Sequence, residues 1–303
     1  MVKRTLIGTM VLVVVALLLW IDHAGARFLV PEDASAWDGL REWLENGLIM
    51  ALVTSAVVWF GLGEYADMAR RLGADIGRIS LGAAGAALLI LQWVGWAHSG
   101  GQFSMCPSAL RDPALTLLVG LFGMSGAVLG WRAVRGRVER TAATGAHFAL
   151  GLLYVLVPLS FIGGIRVQWG VRGVITMLAV CKFTDIGAYF AGKSLGGPKL
   201  APTVSPRKTW AGVGGGILAA TAVAVALNAL GWTRLDASQA ILFGILISSG
   251  GVVADLVESV LKREAGVKDS GNLLPGSGGI LDMADDVLFA APVAYLYFAF
   301  IYG

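Results

Sequence analysis

Charge is scarce in this chain: 14% of its 303 residues are Asp, Glu, Lys or Arg, against roughly 25% in soluble domains. That shortage excludes an ordinary water-soluble globular domain. Histidine and cysteine are scarcer still. Three histidines form no cluster with the two cysteines, Cys106 and Cys181, so a zinc site is not expected. Cys181 lies inside an apolar run, far from Cys106, and no structural disulfide is expected. Basic tracts are lacking too, because all but one of the 23 Lys and Arg residues sit in loops between apolar runs, and nucleic acid is no expected partner. What is abundant is apolar: 56% of residues, with a mean hydropathy of +0.74. The 42 glycines have no low-complexity period. Many lie within the apolar runs, as in Gly82–Ala87, where small residues allow close helix packing.

A bilayer crossing takes about 20 apolar residues. By that ruler nine segments qualify, starting near Thr5, Gly47, Ile79, Ala114, His147, Gly173, Gly212, Ala237 and Asp286. The expected fold is an all-α integral membrane protein of about nine transmembrane helices, whose C-terminal helices form a polar cavity facing the cytoplasm. Residues 1–146 read as an N-terminal transmembrane region and residues 147–303 as a C-terminal catalytic one. The first run, Thr5–Ile21, is followed by a small-residue stretch, His23–Ala26, that resembles a cleavage site. It exceeds the ~7–15 residues of a signal-peptide core and reads as an uncleaved span.

Basic residues collect on alternate loops. Arg70, Arg71 and Arg78, then Arg132, Arg135, Arg137 and Arg140, then Lys193 to Lys208, then Lys262 to Lys268 share one side with Lys3 and Arg4. The positive-inside rule puts the N-terminus in the cytoplasm, the C-terminus outside and the chain in the inner (cytoplasmic) membrane as a multi-pass protein. In the first external loop, Trp37, Leu40, Trp43 and Leu44 recur at helical spacing. An interfacial helix at headgroup level and a helix packed on the bundle both fit.

Charges inside spans mark where chemistry could lie. Lys182 and Asp185 share a helix face, as do Asp255 and Glu258. Four such groups facing lipid would cost roughly 10 kcal/mol, so they pair with one another or line a polar cavity. Both segments lead into polar loops. The first, Thr184–Gly212, interleaves Lys193, Lys199, Arg207 and Lys208 with Gly and Pro, which suits a polyphosphate. Its "SPRKT" could open the next helix, with Ser205 as cap and Pro206 in the first turn. The second loop, Lys262–Asp285, leads up to Asp269, Asp282, Asp285 and Asp286, hard oxygen ligands suited to Mg²⁺. Cations for phosphates beside carboxylates for a metal suggest phosphoryl or nucleotidyl transfer at a membrane surface. Solvated loop charges and plain interhelical ion pairs are the structural alternatives.

The stretch "SVLKREAGVKDSGNLLPGSGGILDMAD", Ser259–Asp285, resembles the C-terminal signature of phosphatidate cytidylyltransferases, the CDP-diacylglycerol synthases. "TDIGAYFAGKSLGG" and "SPRKTWAG" resemble two upstream blocks of that family. The resemblance implies a Mg²⁺-dependent reaction of CTP with inner-leaflet phosphatidate, giving CDP-diacylglycerol and pyrophosphate, with K⁺ a candidate second cation and a homodimer the family expectation. Asp269 and Asp282 fall where it implies metal ligands, with Lys268 and Asp285 beside them as catalytic candidates. Lys262, Arg263 and Lys268 fall where phosphates would be handled, and Asp185, Ser205, Lys208 and Thr209 where the polar cavity would be completed, while Lys193 and Arg207 are substrate-binding candidates from the loop's own charge pattern. Three positions depart from the pattern: Ser277 stands for histidine, Met283 for arginine and Ala211 for glutamate. A relative with activity lost or redirected to another lipid phosphate or a prenol-type acceptor is therefore an alternative. A transporter is a further one, although no inverted repeat of broken helices is apparent.

Overall fold

A computed structural model describes residues 17–22, 24, 38–99, 113–273 and 278–302. Most of the expected first span, Cys106, Trp37 and Ser277 lie outside the described residues. The chain divides into two compact units, Met1–Gln168 with Ala265–Met283, and Trp169–Glu264 with Ala284–Gly303.

The first unit begins, among its named helices, with α1 (Asp38–Glu45), α2 (Leu48–Arg71), α3 (Arg78–Ser99), α4 (Pro113–Val134) and α5 (Thr141–Gly151). A five-residue π-helical turn, Leu152–Leu156, leads into α6 (Val157–Leu195), whose start belongs to this unit. The α1 helix packs on the bundle: Leu44 is buried, and the Trp43 and Trp93 rings lie 5.3 Å apart. Trp93 Nε1 also donates to the Asn46 carbonyl at 3.0 Å. Gly47, which precedes α2, has φ +84, and a Cβ there would fall 2.7 Å from the Arg166 side chain. Arg166 is itself buried and pairs with the Asp22 carboxylate, whose other oxygen accepts from Met50 N at 3.0 Å. A charge within the apolar α6 is thereby matched by a buried counter-ion, as low dielectric requires. In the turn between α2 and α3, Asp75 accepts from Arg132 at 2.7 Å and Arg137 at 3.3 Å. The hydrogen bond from Arg132 holds the Asp75 carboxyl below its usual value.

The second unit holds the rest of α6, α7 (Trp210–Ala229), α8 (Ala237–Glu264) and most of α9 (Leu281–Tyr302). Near the start of its share of α6, Gly170 leaves helical geometry (φ 73, ψ −177). Small residues bring α6 against α7: a Cβ on Gly187 would lie 2.5 Å from both the Ala219 Cβ and the Gly215 carbonyl oxygen. The α8 helix opens with a capping box in which Gln239 N donates to Asp236 Oδ1 at 2.8 Å and Asp236 N donates to Gln239 Oε1 at 2.9 Å. Phe243 stacks on Phe298 at 5.0 Å to fill the space between α8 and α9.

Two expectations change. The "SPRKT" stretch does not open a helix: Ser205–Thr209 is a strand (β2) paired antiparallel with Lys199–Ala201 (β1). Thr209, not Ser205, caps α7, its hydroxyl accepting from Gly212 N at 3.1 Å. Pairing with Ala201 commits Ser205 to the hairpin, and Thr209 is the residue in extended geometry (φ −125, ψ 154) where the helix starts. Among the described residues, seven helical stretches are long and apolar enough to cross a membrane. One of them, Thr141–Leu195, has 55 residues, more than twice the ~20 a crossing needs, and covers the two segments expected from His147 and Gly173.

Candidate active site

In the second unit the polar side chains of α6, β2 and α8 converge on a cavity of ≈ 380 Å³. Asp185, Lys193, Arg207, Lys208, Thr209 and Asp255 all line it. Five of these six are sequence-derived site residues, brought together from separate elements. The Thr209 hydroxyl that caps α7 lines the same wall, so the cap fixes the end of β2 and with it the direction of Arg207 and Lys208. Gly192 and Gly212 leave room in this corner: a Cβ on Gly192 would lie 3.0 Å from Thr209 Oγ1, and one on Gly212 3.0 Å from the Ala188 carbonyl oxygen.

Three ion pairs join charges of the apolar helices in this unit. Lys208 pairs with Asp255. Lys262 donates to Glu258 at 2.5 Å, one helical turn back along α8. Lys182 donates to both oxygens of Asp286, at 3.1 and 2.9 Å. Glu258 and Asp286 are buried, with 0% and 3% exposure, so these pairs are what makes ionised carboxylates tolerable there. Asp255, Glu258 and Asp285 present carboxylate oxygens within 4.8 Å of one another. The donor set is three hard oxygens without sulfur or imidazole, which fits a small divalent cation such as Mg²⁺. Arg263, at the end of α8, points its Nε to the Val204 carbonyl at 3.4 Å, beside the hairpin.

The first unit holds the loop that precedes α9. Asp282 Oδ2 accepts from Ser270 N and Gly279 N, both at 2.8 Å, and from the Ser270 hydroxyl at 2.9 Å. Lys268 and Asp269 precede this network and are exposed. Of the four catalytic candidates, Lys268 and Asp269 in the loop and Asp282 in the first turn of α9 thus belong to the first unit, and Asp285 to the carboxylate cluster of the second. Ser205 is half-buried on β2 and does not line the cavity. Sequence reasoning paired Asp255 with Glu258 but not with Asp285, since their convergence needs α8 and α9 packed together. It also missed Glu64, a buried carboxylate near the end of α2 that accepts from Ile280 N and Leu281 N, each at 2.9 Å. A lone carboxylate in an apolar span was the available signal, the same one that drew attention to Asp185 and Glu258.

A profile of the cytidylyltransferase family matches residues 2–301. The phosphatidate cytidylyltransferase of Haemophilus influenzae is 30% identical over 317 aligned positions, covering 98% of this chain and 99% of that protein. Those of Brucella suis and Bacillus subtilis are 42% and 44% identical over 157 and 132 positions, or 49% and 44% of this chain. In these two alignments the chain spans about half of the relative's length, 56% and 49%.

Proposed function

This chain belongs to the cytidylyltransferase family, and we propose that it is a CTP:phosphatidate cytidylyltransferase that makes CDP-diacylglycerol and pyrophosphate. The observation that carries this reading is the cavity in which Lys193, Arg207 and Lys208 stand beside Asp185 and Asp255, the latter shared with the carboxylate cluster. Cations to hold a triphosphate and hard oxygens to hold a metal are adjacent, as transfer between two polyanions requires. A phosphate oxygen of phosphatidate attacks the α-phosphorus of CTP. One P–O bond forms while the α–β anhydride bond breaks, and its electron pair leaves on pyrophosphate without a net change in protons.

The cationic side chains bind the triphosphate and offset the charge that grows on the leaving group. Lys208, already held at the cavity wall by Asp255, is oriented before substrate arrives. Asp255, Glu258 and Asp285 would hold Mg²⁺ in the second unit; Asp269 and Asp282 are proposed as metal ligands on the family signature alone, K⁺ being the candidate second cation. The bound metal would supply charge neutralisation on phosphoryl oxygens. Tyr189 lines the cavity, and its neighbours Ile186 and Phe190 are exposed, an apolar flank along which acyl chains could lie in the bilayer. We place the protein in the cytoplasmic membrane with nine spans, N-terminus inside, so that the cavity meets cytosolic CTP.

Purified protein in mixed micelles with CTP, phosphatidate and Mg²⁺ is expected to release pyrophosphate and form CDP-diacylglycerol. Asp285→Asn should lower turnover by more than about 100-fold. Wild-type protein without turnover under these conditions refutes the assignment, and full activity in Asp285→Asn removes the carboxylate cluster from it.

A further inference from the structure

Glu64 lies in α2, some two hundred residues before the C-terminal loop, and yet it organises that loop. Its Oε1 accepts from Ile280 N and its Oε2 from Leu281 N, each at 2.9 Å, and Oε2 also accepts from the Ser270 hydroxyl at 3.0 Å. The same hydroxyl lies 2.9 Å from Asp282 Oδ2. One hydroxyl hydrogen therefore serves two carboxylates and ties their positions together. Ile280 and Leu281 begin the turn that opens α9, so Glu64 also satisfies N–H groups that no intrahelical carbonyl can reach.

The loop's glycines carry the imprint of this carboxylate. Gly278 has φ +94 and is glycine for conformation. Gly279 and Gly271 have no such constraint, since neither is among the positive-φ residues. What a side chain would meet there is Glu64: a Cβ on Gly279 would lie 2.2 Å from its Oε2, and one on Gly271 2.4 Å from its Oε1. Two glycines of the loop are thus small because a carboxylate from another helix fills the space beside them.

We propose that Glu64 is a positioning residue for cytidylyl transfer, holding Ser270 and the Gly279–Leu281 backbone in the shape from which Asp282 projects. The proposal rests on the function assigned above. Glu64 touches neither substrate nor metal in this role and acts through the backbone and Ser270. Its negative charge at the opening of α9 also keeps both N–H donors of that turn directed inward, leaving the Ser270 and Gly279 N–H groups to Asp282.

The test uses the full-length protein in detergent, with Mn²⁺ affinity and steady-state kinetics as readouts. Glu64→Gln keeps the volume but turns an NH₂ group toward backbone donors. It should lower kcat and Mn²⁺ affinity by about 10–100-fold while KM for CTP stays within roughly threefold. Gly279→Ala should produce a similar loss. Glu64→Asp, which retracts the carboxylate by one methylene, should restore part of the Gly279→Ala loss, an interaction that two unrelated structural defects would not show. Unchanged kcat and Mn²⁺ affinity in Glu64→Gln overturns the proposal, as does a Gly279→Ala loss of equal factor with Glu or Asp at position 64. If wild-type protein fails to turn over CTP, the assigned function falls, and the Mn²⁺ measurements alone still decide whether Glu64 and Gly279 are coupled.

Discussion

Replacing Lys182 with methionine should destabilise the second unit far more than replacing its partner Asp286 with asparagine. The two residues form one ion pair, with nitrogen–oxygen distances of 3.1 and 2.9 Å. Their surroundings differ: the Asp286 side chain is 4% exposed and that of Lys182 35% exposed. Lys182→Met strands an ionised carboxylate in a buried position, a loss of about 3–5 kcal/mol for an orphaned buried charge. Asp286→Asn removes a counter-charge from an ammonium that keeps a third of its surface accessible and carries its charge on a flexible stem. Its penalty is correspondingly discounted to about 1–2 kcal/mol. Replacing both, as Lys182→Met with Asp286→Leu, removes both desolvation penalties and should fall within about 1–2 kcal/mol of wild type. The assay is reversible unfolding in mixed micelles of rising SDS fraction, followed by far-UV circular dichroism. An Asp286→Asn cost equal to or above that of Lys182→Met refutes the reasoning, because exposure would then not set the penalty. A double variant as unstable as Lys182→Met refutes it as well.

Two further outcomes follow from single contacts. Thr209→Ala removes the α7 cap and should cost about 1 kcal/mol. The same change should weaken CTP binding through the neighbouring Arg207 and Lys208, while Thr209→Ser retains both properties, as checked by unfolding and by isothermal titration with CTP. Asp75 is a depressed carboxyl, held down first by its hydrogen bond from Arg132. Its folded pKa lies below that of an ordinary aspartate, so the folded state binds fewer protons there than the unfolded state. The stabilisation is complete above that unfolded value and is lost as pH falls through the lower folded one. Asp75→Asn should therefore flatten the acid limb of stability below about pH 4, and an unchanged limb refutes the assignment.

Much of the site was legible because chemistry in a membrane is conspicuous. Each of Lys182, Asp185, Asp255 and Glu258 interrupts an apolar run, and such interruptions persist only where something compensates them. The helical character of the spans was legible for the same reason, since a backbone in lipid must satisfy its own hydrogen bonds. Less legible was the local structure of Lys199–Thr209. Short alternating polar segments carry little periodic signal, and Pro206 suggested a helix start where the chain forms a hairpin edge. In the span expected near Gly47, Glu64 and Asp67 interrupt the hydropathy without interrupting the helix, and α2 runs for 24 residues.

Composition and pattern alone determined that this is a helical membrane protein and that cations and carboxylates interrupt and link its last apolar runs. Those conclusions depend on the cost of charge in lipid and on residue type, which need no coordinates. Partnership needed the fold. That Asp285 joins Asp255 and Glu258, that Lys182 neutralises Asp286, and that Glu64 occupies the space beside Gly279 are contacts between helices distant in sequence. Which side chain of an interrupted span faces which neighbour depends on helix rotation and axial register. Both are set by the close approach of small residues such as Gly187 and Gly215, and only the packed structure reveals them.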